Sequence, residues 1–403
     1  MKIKKIIYLT HFIFGKRDYE RFGIETMKNN GFCVEVWDCT PFLKPKEYKI
    51  FKVPDPIDYQ EYSFKLFKGS KDIKNQIEHL ETDAMIIFLG VPNYQMYPIL
   101  KNLSRANIIY ALAIMNTIPL YKNSYNNYFI LNKKRLFYII NKIKELNLVK
   151  LKKLIYKLIP YKWLGINFPE LIFAGGSQTL INYNPPIGEK TKVIWGHTLD
   201  YDLYLKDLLK HSKNDLEDEK YTVFIDDYLP FAEDYIHMAV KNPTTPECYY
   251  PSLCKFFKRV EKDTGFKIVI AAHPRSMYEK QPDYFEGRSV IRGRTKELIR
   301  DSEFVLMHAS TAMSFVILYN KPVLNFVTKE IEQDNNEINH VKGYCLELNK
   351  GYINIDESDY INWDKELTIN KETYANYKEK YIKRKGTKRK FFWQIVADEI
   401  KKI

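Results

Sequence analysis

A chain of 403 residues, 45% hydrophobic and 28% charged, is long enough for two domains and too apolar for wholesale disorder. Its net charge of +13 favours anionic partners: nucleotide diphosphates, acidic lipid headgroups or nucleic acid. The five Cys, at 33, 39, 248, 254 and 345, form no CxxC pair and no cluster with His, which argues against a zinc site or a disulfide framework and for a reducing cytosol; the apolar stretch Ile6 to Leu9 is too short for a signal peptide, and no run approaches the ~18 residues of a membrane span.

The first half alternates short apolar runs with helical patterns. Strands are predicted at Ile6–Thr10, Cys33–Trp37, Ala84–Leu89, Asn107–Ala113, Leu171–Ala174 and Lys192–Trp195, with a helix over Lys16–Asn30 that Gly31 stops. Around the first strand end, Tyr8, Thr10, His11 and Arg21 are candidate ligand contacts. Gly175-Gly176-Ser177 follows a strand but lacks the spacing of a P-loop or a dinucleotide fingerprint. His197 and Asp200 follow the last strand of this half, near the expected hinge. Residues 133–162 carry ten Lys/Arg against one Glu, with apolar residues interleaved at near-helical spacing. That pattern suits a helix lying on an anionic membrane surface, and equally a helix packing an apolar stripe on the core with a solvated basic face.

The polar stretch His211–Lys220 reads as a linker. Beyond it the pattern restarts, with strands at Tyr221–Ile225, Lys267–Ala272, Phe304–Met307 and Val323–Phe326. Helices are predicted at Ser252–Thr264, Thr295–Asp301 and Ala312–Tyr319, and a basic helical tail from Thr373. Strands alternating with helices in both halves predict two doubly wound, parallel-sheet α/β domains, Rossmann-like and facing a central cleft. The expected division is 1–210, 211–375 and a helical tail 376–403. Open α/β sheets bind ligands at the carboxyl ends of their strands, so the cleft is the expected site.

Three short motifs stand directly after three predicted strands of the second half: Asp226-Asp227-Tyr228, His273-Pro274-Arg275-Ser276 and His308-Ala309-Ser310-Thr311. Ser310 and Thr311 open a helix, where a hydroxyl caps free N–H groups and an anion gains from the same donors; an ordinary Ser cap has the same look. His273, ahead of Pro, suits hydrogen bonding or proton donation to a departing phosphate oxygen, or a structural role at a strand end; Arg275 adds a fixed charge. His308 either contacts ligand or packs behind Ser310. Asp226 and Asp227 alternate sides: one is a candidate general base facing an acceptor hydroxyl, unless the pair is only a turn before Pro230. Glu233 and Asp234 are fallback carboxylates.

The stretch Thr295–Phe326, TKELIRDSEFVLMHASTAMSFVILYNKPVLNF, resembles the donor-binding core of glycosyltransferase B enzymes. The order Asp226-Asp227, His273-Pro274, Ser310-Thr311 is similar to the three short motifs of bacterial sialyltransferases, which transfer nonulosonic acids from a CMP-activated donor. Where that group has Gly after the acidic pair, this chain has Tyr228. Teichoic-acid-type glycerophosphotransferases, with a CDP-activated donor, and UDP-N-acetylglucosamine 2-epimerases are similar in this region too. The resemblance implies an inverting, metal-independent glycosyl transfer with no cofactor. Asp227 or Asp226 is then the base and His273 the group at the leaving phosphate; Pro274, Arg275, His308, Ser310 and Thr311 bind the donor. The acceptor, a surface glycan or glycolipid, falls to the N-terminal domain, with His11 and Arg21. The implied setting is cytoplasmic, peripheral to the inner face of the membrane. A nucleic-acid partner is not expected, because the basic residues do not interleave with aromatics in an RNA-binding pattern.

Overall fold

The computed structural model describes residues 2–50, 63–121, 159–210, 220–232, 235 and 241–403. The linker expected at His211–Lys220 and the basic run 133–162 fall almost entirely outside the described residues, as do Glu233 and Asp234.

The first unit comprises residues 1–116, 123–199 and 386–403. Its strands are β1 (Lys5–Thr10), β2 (Cys33–Asp38), β3 (Phe64–Leu66), β4 (Ala84–Phe88), β5 (Ile109–Ile114), β6 (Leu171–Ala174) and β7 (Lys192–Trp195). All pair in parallel, in the order β3-β2-β1-β4-β5-β6-β7. The central strands read as continuous apolar runs because helices cover both faces: β4 is buried along its whole length. One face packs Ile6, Tyr8, Met85, Ile87 and Phe173; the other packs Ile7, Leu9, Ile86, Phe88 and Ile172.

The predicted helix Lys16–Asn30 is two helices, Lys16–Arg21 and Ile24–Asn29. Gly23 breaks it with φ +61°, and a Cβ there would lie 2.4 Å from the Trp393 ring. Trp393 belongs to the last helix, Phe392–Ile400, which packs Trp393, Val396 and Ile400 into the first sheet's core. Its indole Nε1 donates to the Arg21 carbonyl at 3.1 Å, and its ring lies 5.1 Å from that of Tyr8. The buried His197 ring contacts the Lys390 carbonyl at 2.7 Å, a second tie from this tail to the first unit.

The second unit comprises residues 117–122 and 200–385. Its strands are β8 (Tyr221–Ile225), β9 (Lys267–Ala272), β10 (Val290–Arg292), β11 (Val305–Met307), β12 (Val323–Val327) and β13 (Ile353–Asn354). They pair in parallel in the order β10-β9-β8-β11-β12-β13. The topological switch point lies between β8 and β11, where the chain reverses its direction of winding. The helix Pro246–Thr264 lines this core with Tyr249, Tyr250, Leu253, Phe256, Phe257 and Val260. It starts a turn and a half earlier than its apolar spacing predicts, since Thr245 stands at its cap and Pro246 at its first position, where a missing N–H costs nothing. Among the described residues no helix is long and apolar enough to cross a membrane.

The two units are thus Rossmann-like parallel-sheet domains, the architecture of the glycosyltransferase B fold.

Candidate active site

The three motifs occupy the carboxyl ends of β9, β8 and β11, three neighbouring strands of the second sheet. Sheet order therefore brings together residues that lie about fifty and forty positions apart in sequence, without any side-chain contact being required to do so.

Asp226 is buried, at 2% exposure, and is fully occupied. One carboxylate oxygen accepts the Tyr228 N–H at 2.9 Å; the other accepts the Tyr278 hydroxyl at 2.9 Å and the His273 N–H at 3.4 Å. It ties the end of β8 to the loop after β9. Burial pushes its carboxyl up to about 6, against the three donors, which act in the opposite direction. Asp227 is partly exposed and accepts a backbone N–H from Ala309, which links the acidic motif to the one after β11. Desolvation holds its carboxyl well above the usual carboxylate range, and the neighbouring charges of Asp226 and Glu337 push the same way.

His273 is half-buried, and its Nδ1 accepts the Arg275 N–H at 3.2 Å. In the neutral ring this leaves the proton on Nε2, as a donor. Pro274 and Arg275 are exposed beside it. Ser310 is partly exposed and Thr311 exposed; the Ser310 hydroxyl accepts the Ala312 N–H at 3.3 Å. The helix they introduce is Met313–Leu318, one residue shorter at each end than its sequence predicts.

His308 departs from the donor contact expected of it. It is fully buried, Nδ1 donates to the Phe326 carbonyl at 2.7 Å, and Nε2 accepts the Tyr249 hydroxyl at 2.9 Å. With both ring nitrogens engaged it has none to present to a ligand. Burial lowers its pKa to about 4, so the ring is neutral, as these two bonds require. Its place is behind the site, where it joins β11 and β12 to the helix Pro246–Thr264.

Sequence reading missed the groups that support the motifs. Tyr249 and Tyr250, adjacent on one helix, point to different partners: Tyr249 to His308, Tyr250 to the Tyr278 hydroxyl at 3.0 Å and so on to Asp226. Glu337, on the helix Asn335–Leu348, accepts the Tyr235 hydroxyl and faces His340 at 3.6 Å. Nothing near these residues in the sequence announces them; only tertiary packing does.

His11 and Arg21 belong to the first unit. His11 follows β1 and is half-buried; desolvation, with Lys44 nearby, lowers its pKa to about 4, making it a neutral hydrogen-bonding group. Arg21 ends the helix Lys16–Arg21 under Trp393. In the glycine pair after β6, Gly175 is required by packing: a Cβ there would lie 2.1 Å from the Met115 carbonyl oxygen.

No protein-family model matches the chain, and no curated protein is similar to it in sequence. Similar solved structures include CalG4, the calicheamicin glycosyltransferase, with 11% identity over 100% of this chain and 98% of that one and a TM-score of 0.50. They also include Acinetobacter baumannii MurG, with 10% identity, coverage of 99% and 100% and a TM-score of 0.49. The S. aureus MnaA–UDP co-structure has 13% identity, coverage of 94% and 92% and a TM-score of 0.47. At these identities the likeness speaks to fold, and the CalG4 comparison supports the glycosyltransferase B architecture.

Proposed function

We propose that this protein is a glycosyltransferase that moves a sugar from a nucleotide-activated donor to a glycan acceptor. The observation that carries the reading is the side-by-side placement of the three motifs at the ends of β9, β8 and β11, at the switch point where such sheets bind ligands. Of the two aspartates, Asp227 suits the base: it is reachable, and its raised pKa makes it more basic than an ordinary carboxylate. Asp226 positions the loops and keeps Asp227 basic.

In this reading Asp227 takes the proton of an acceptor hydroxyl, whose oxygen forms the new bond to the anomeric carbon as the bond to the leaving phosphate breaks. The Nε2–H of His273 donates a hydrogen bond to that phosphate, Arg275 adds positive charge beside it, and Ser310 and Thr311 hold it from the other side. The donor is a CMP-activated acidic sugar of the nonulosonic type, consistent with the net positive charge of the chain. The acceptor is a surface glycan or glycolipid, with His11 and Arg21 of the first unit as contacts, and the work is done in the cytoplasm at an anionic membrane surface.

A thermal-shift panel of CMP, CDP, UDP and GDP tests the donor. A cytidine nucleotide at 100 times its dissociation constant stabilises the protein by about 2.7 kcal/mol, and chelator leaves the shift in place. A shift with UDP alone replaces the CMP-sugar reading by a UDP-sugar one; no shift with any nucleotide overturns both.

A further inference from the structure

At the other end of the second sheet from the three motifs lies an open groove of about 720 Å³. One wall is the last turns of the helix Pro246–Thr264, with Lys258, Lys262 and Asp263; the other is the stretch 359–364. Two observations fix its place. That helix ends just before β9 begins at Lys267, and the Trp363 ring in the groove lies 5.8 Å from that of Phe304, the last residue but one before Leu306 of β11. The groove therefore sits at the amino ends of strands whose carboxyl ends lead to His273 and Ser310. The six residues of β9, at ~3.3 Å each, put about 20 Å between the two ends. The transfer chemistry has no use for it.

An occupant is indicated by two independent features. The first is an exposed ring on a fixed mount. Tyr360 is 79% exposed, yet its loop is pinned on both sides. Before it, the Ser358 carbonyl accepts from Arg259 Nη1, and the Ser358 N–H donates to the Asn354 carbonyl at 3.0 Å; after it, Ile361 is buried in the core. Next along, the Trp363 indole Nε1 donates to Asp263 Oδ2 at 3.2 Å, and the Asn362 side chain accepts the Lys365 N–H at 3.1 Å. A ring on a loose loop loses entropy when a ligand orders it; here folding has already ordered it. The second feature is charge balance. Lys258, Arg259 and Lys262 line the groove together with Asp263, Asp359 and Asp364, so it is near neutral in a chain of net charge +13. Lys262, Asp359 and Asp364 are exposed, and their side chains make no hydrogen bond or ion pair among the described residues.

The lining decides the class of ligand. A phosphate-rich partner, whether nucleic acid or an anionic bilayer, would meet three carboxylates for three cations, and Lys258 is already held by Glu286 at 2.9 Å. An apolar peptide would cover these charged groups and leave them unpaired. A neutral sugar chain suits both features. Its C–H face stacks on the electron-rich face of an aromatic ring, and its hydroxyls, each both donor and acceptor, bond carboxylates and an ammonium alike. We propose that this groove is a second glycan-binding site, which holds a neutral stretch of oligosaccharide with one sugar ring on Tyr360 and hydroxyls on Asp359, Asp364 and Lys262. Binding there stands by itself; its use rests on the transferase reading above. A glycan chain held at one end of the sheet does not leave after each transfer at the other, so successive additions go to the same molecule.

An array of immobilised neutral and acidic oligosaccharides, probed with the full labelled chain, tests the assignment. Wild type is retained by neutral oligosaccharides, and Tyr360→Ala weakens that retention about three- to tenfold, the loss of one stacking face. Asp359→Asn combined with Asp364→Asn weakens it too. Tyr360 is exposed, so Tyr360→Ala melts as wild type does. Asp227→Asn, at the other end of the sheet, leaves retention unchanged. In transfer assays Tyr360→Ala keeps the rate of the first addition and gives shorter products. Wild type retained by no oligosaccharide, or retention that Tyr360→Ala does not weaken, overturns the groove assignment and leaves the transferase reading standing. If Tyr360→Ala instead loses binding to polyuridylate or to phosphatidylglycerol vesicles, the partner is anionic and the glycan assignment falls. A wild type that transfers no sugar, but whose retention falls in Tyr360→Ala, keeps the groove and loses the transferase reading.

Discussion

The two sheets follow one plan but treat the polar groups at their strand ends in different ways. At the end of β2, Asp38 is fully buried and closes on its own neighbour, accepting the Thr40 N–H at 2.8 Å and the Thr40 hydroxyl. At the end of β6, Gly175 is pressed against the Met115 carbonyl and carries no side chain at all. The other Asp38 oxygen is buried without a hydrogen-bond partner. At the end of β8, by contrast, Asp226 reaches to the loop after β9, Asp227 to the backbone after β11, and a carboxylate on a distant helix raises the basicity of Asp227. Strained backbone at Tyr228 and an unpartnered acceptor at Gln281 belong to the same loops. Unpartnered buried atoms thus occur in both units; what distinguishes the second sheet is that its acidic motif bonds to the loops after two neighbouring strands.

The contrast is open to attack at several strengths. The largest effect is expected from Asp227→Asn, which lowers transfer by about 10²–10⁴-fold, while Asp38→Asn in the first sheet leaves turnover per folded molecule unchanged. Steady-state transfer assays with a melting curve for each variant check this, and equal losses would erase the distinction between the sheets. His273→Ala is expected to cost about 10²-fold or more, and a donor with a better leaving group restores most of it, whereas the same donor does not rescue Asp227→Asn.

Trp393→Ala attacks stability instead. Removing a buried tryptophan costs about 3–5 kcal/mol, and the loss falls on the first unit, so chemical denaturation followed by fluorescence shows its transition moving down while nucleotide binding persists. A loss of nucleotide binding in native conditions would contradict a site confined to the second sheet.

The smaller effects are in pH. Asp226 holds its proton up to about pH 6 in the folded protein and to about 3.8 when unfolded, so its stabilising contribution is fully present below pH ~4 and lost as pH rises through about 6. That difference amounts to about 3 kcal/mol, so in Asp226→Asn the fall of melting temperature between pH 4 and 6.5 is shallower than in wild type. The same substitution removes a negative charge beside Asp227, lowers its pKa and moves the acid limb of the rate profile to lower pH. A limb that stays where it was would separate Asp227 from the rate.

The sequence pattern exposed ten of the described strands, most of them buried apolar runs flanked by turn residues. It did not expose β3, β10 and β13, short edge strands that are only partly buried, whereas β11, also three residues, is buried throughout and shows as an apolar run. The helix break at Gly23 was hidden for a different reason: the residue that demands it, Trp393, is 370 positions away. The site divides in the same manner. Asp226, Asp227, His273, Ser310 and Thr311 were legible because they follow strands directly. Glu337, Tyr249 and Tyr250 were not, because their roles come from helices brought in by packing. His308 looked like its neighbours Ser310 and Thr311 in sequence, and only burial told it apart.

The last helix carries a consequence for how the protein comes into being. Phe392, Trp393, Val396 and Ile400 complete the core of a sheet whose seventh strand ends at Trp195. On the ribosome roughly 200 residues, all of the second unit but residues 117–122 among them, are made after that sheet's strands have all appeared and before its core can close. At the usual pace of synthesis this is a wait of about 10–40 s, during which an apolar patch under Tyr8 and Phe173 stands open to water and to chaperones. The second unit, contiguous apart from one short segment, has no such wait. The half of the chain that is translated first is therefore the half that finishes folding last.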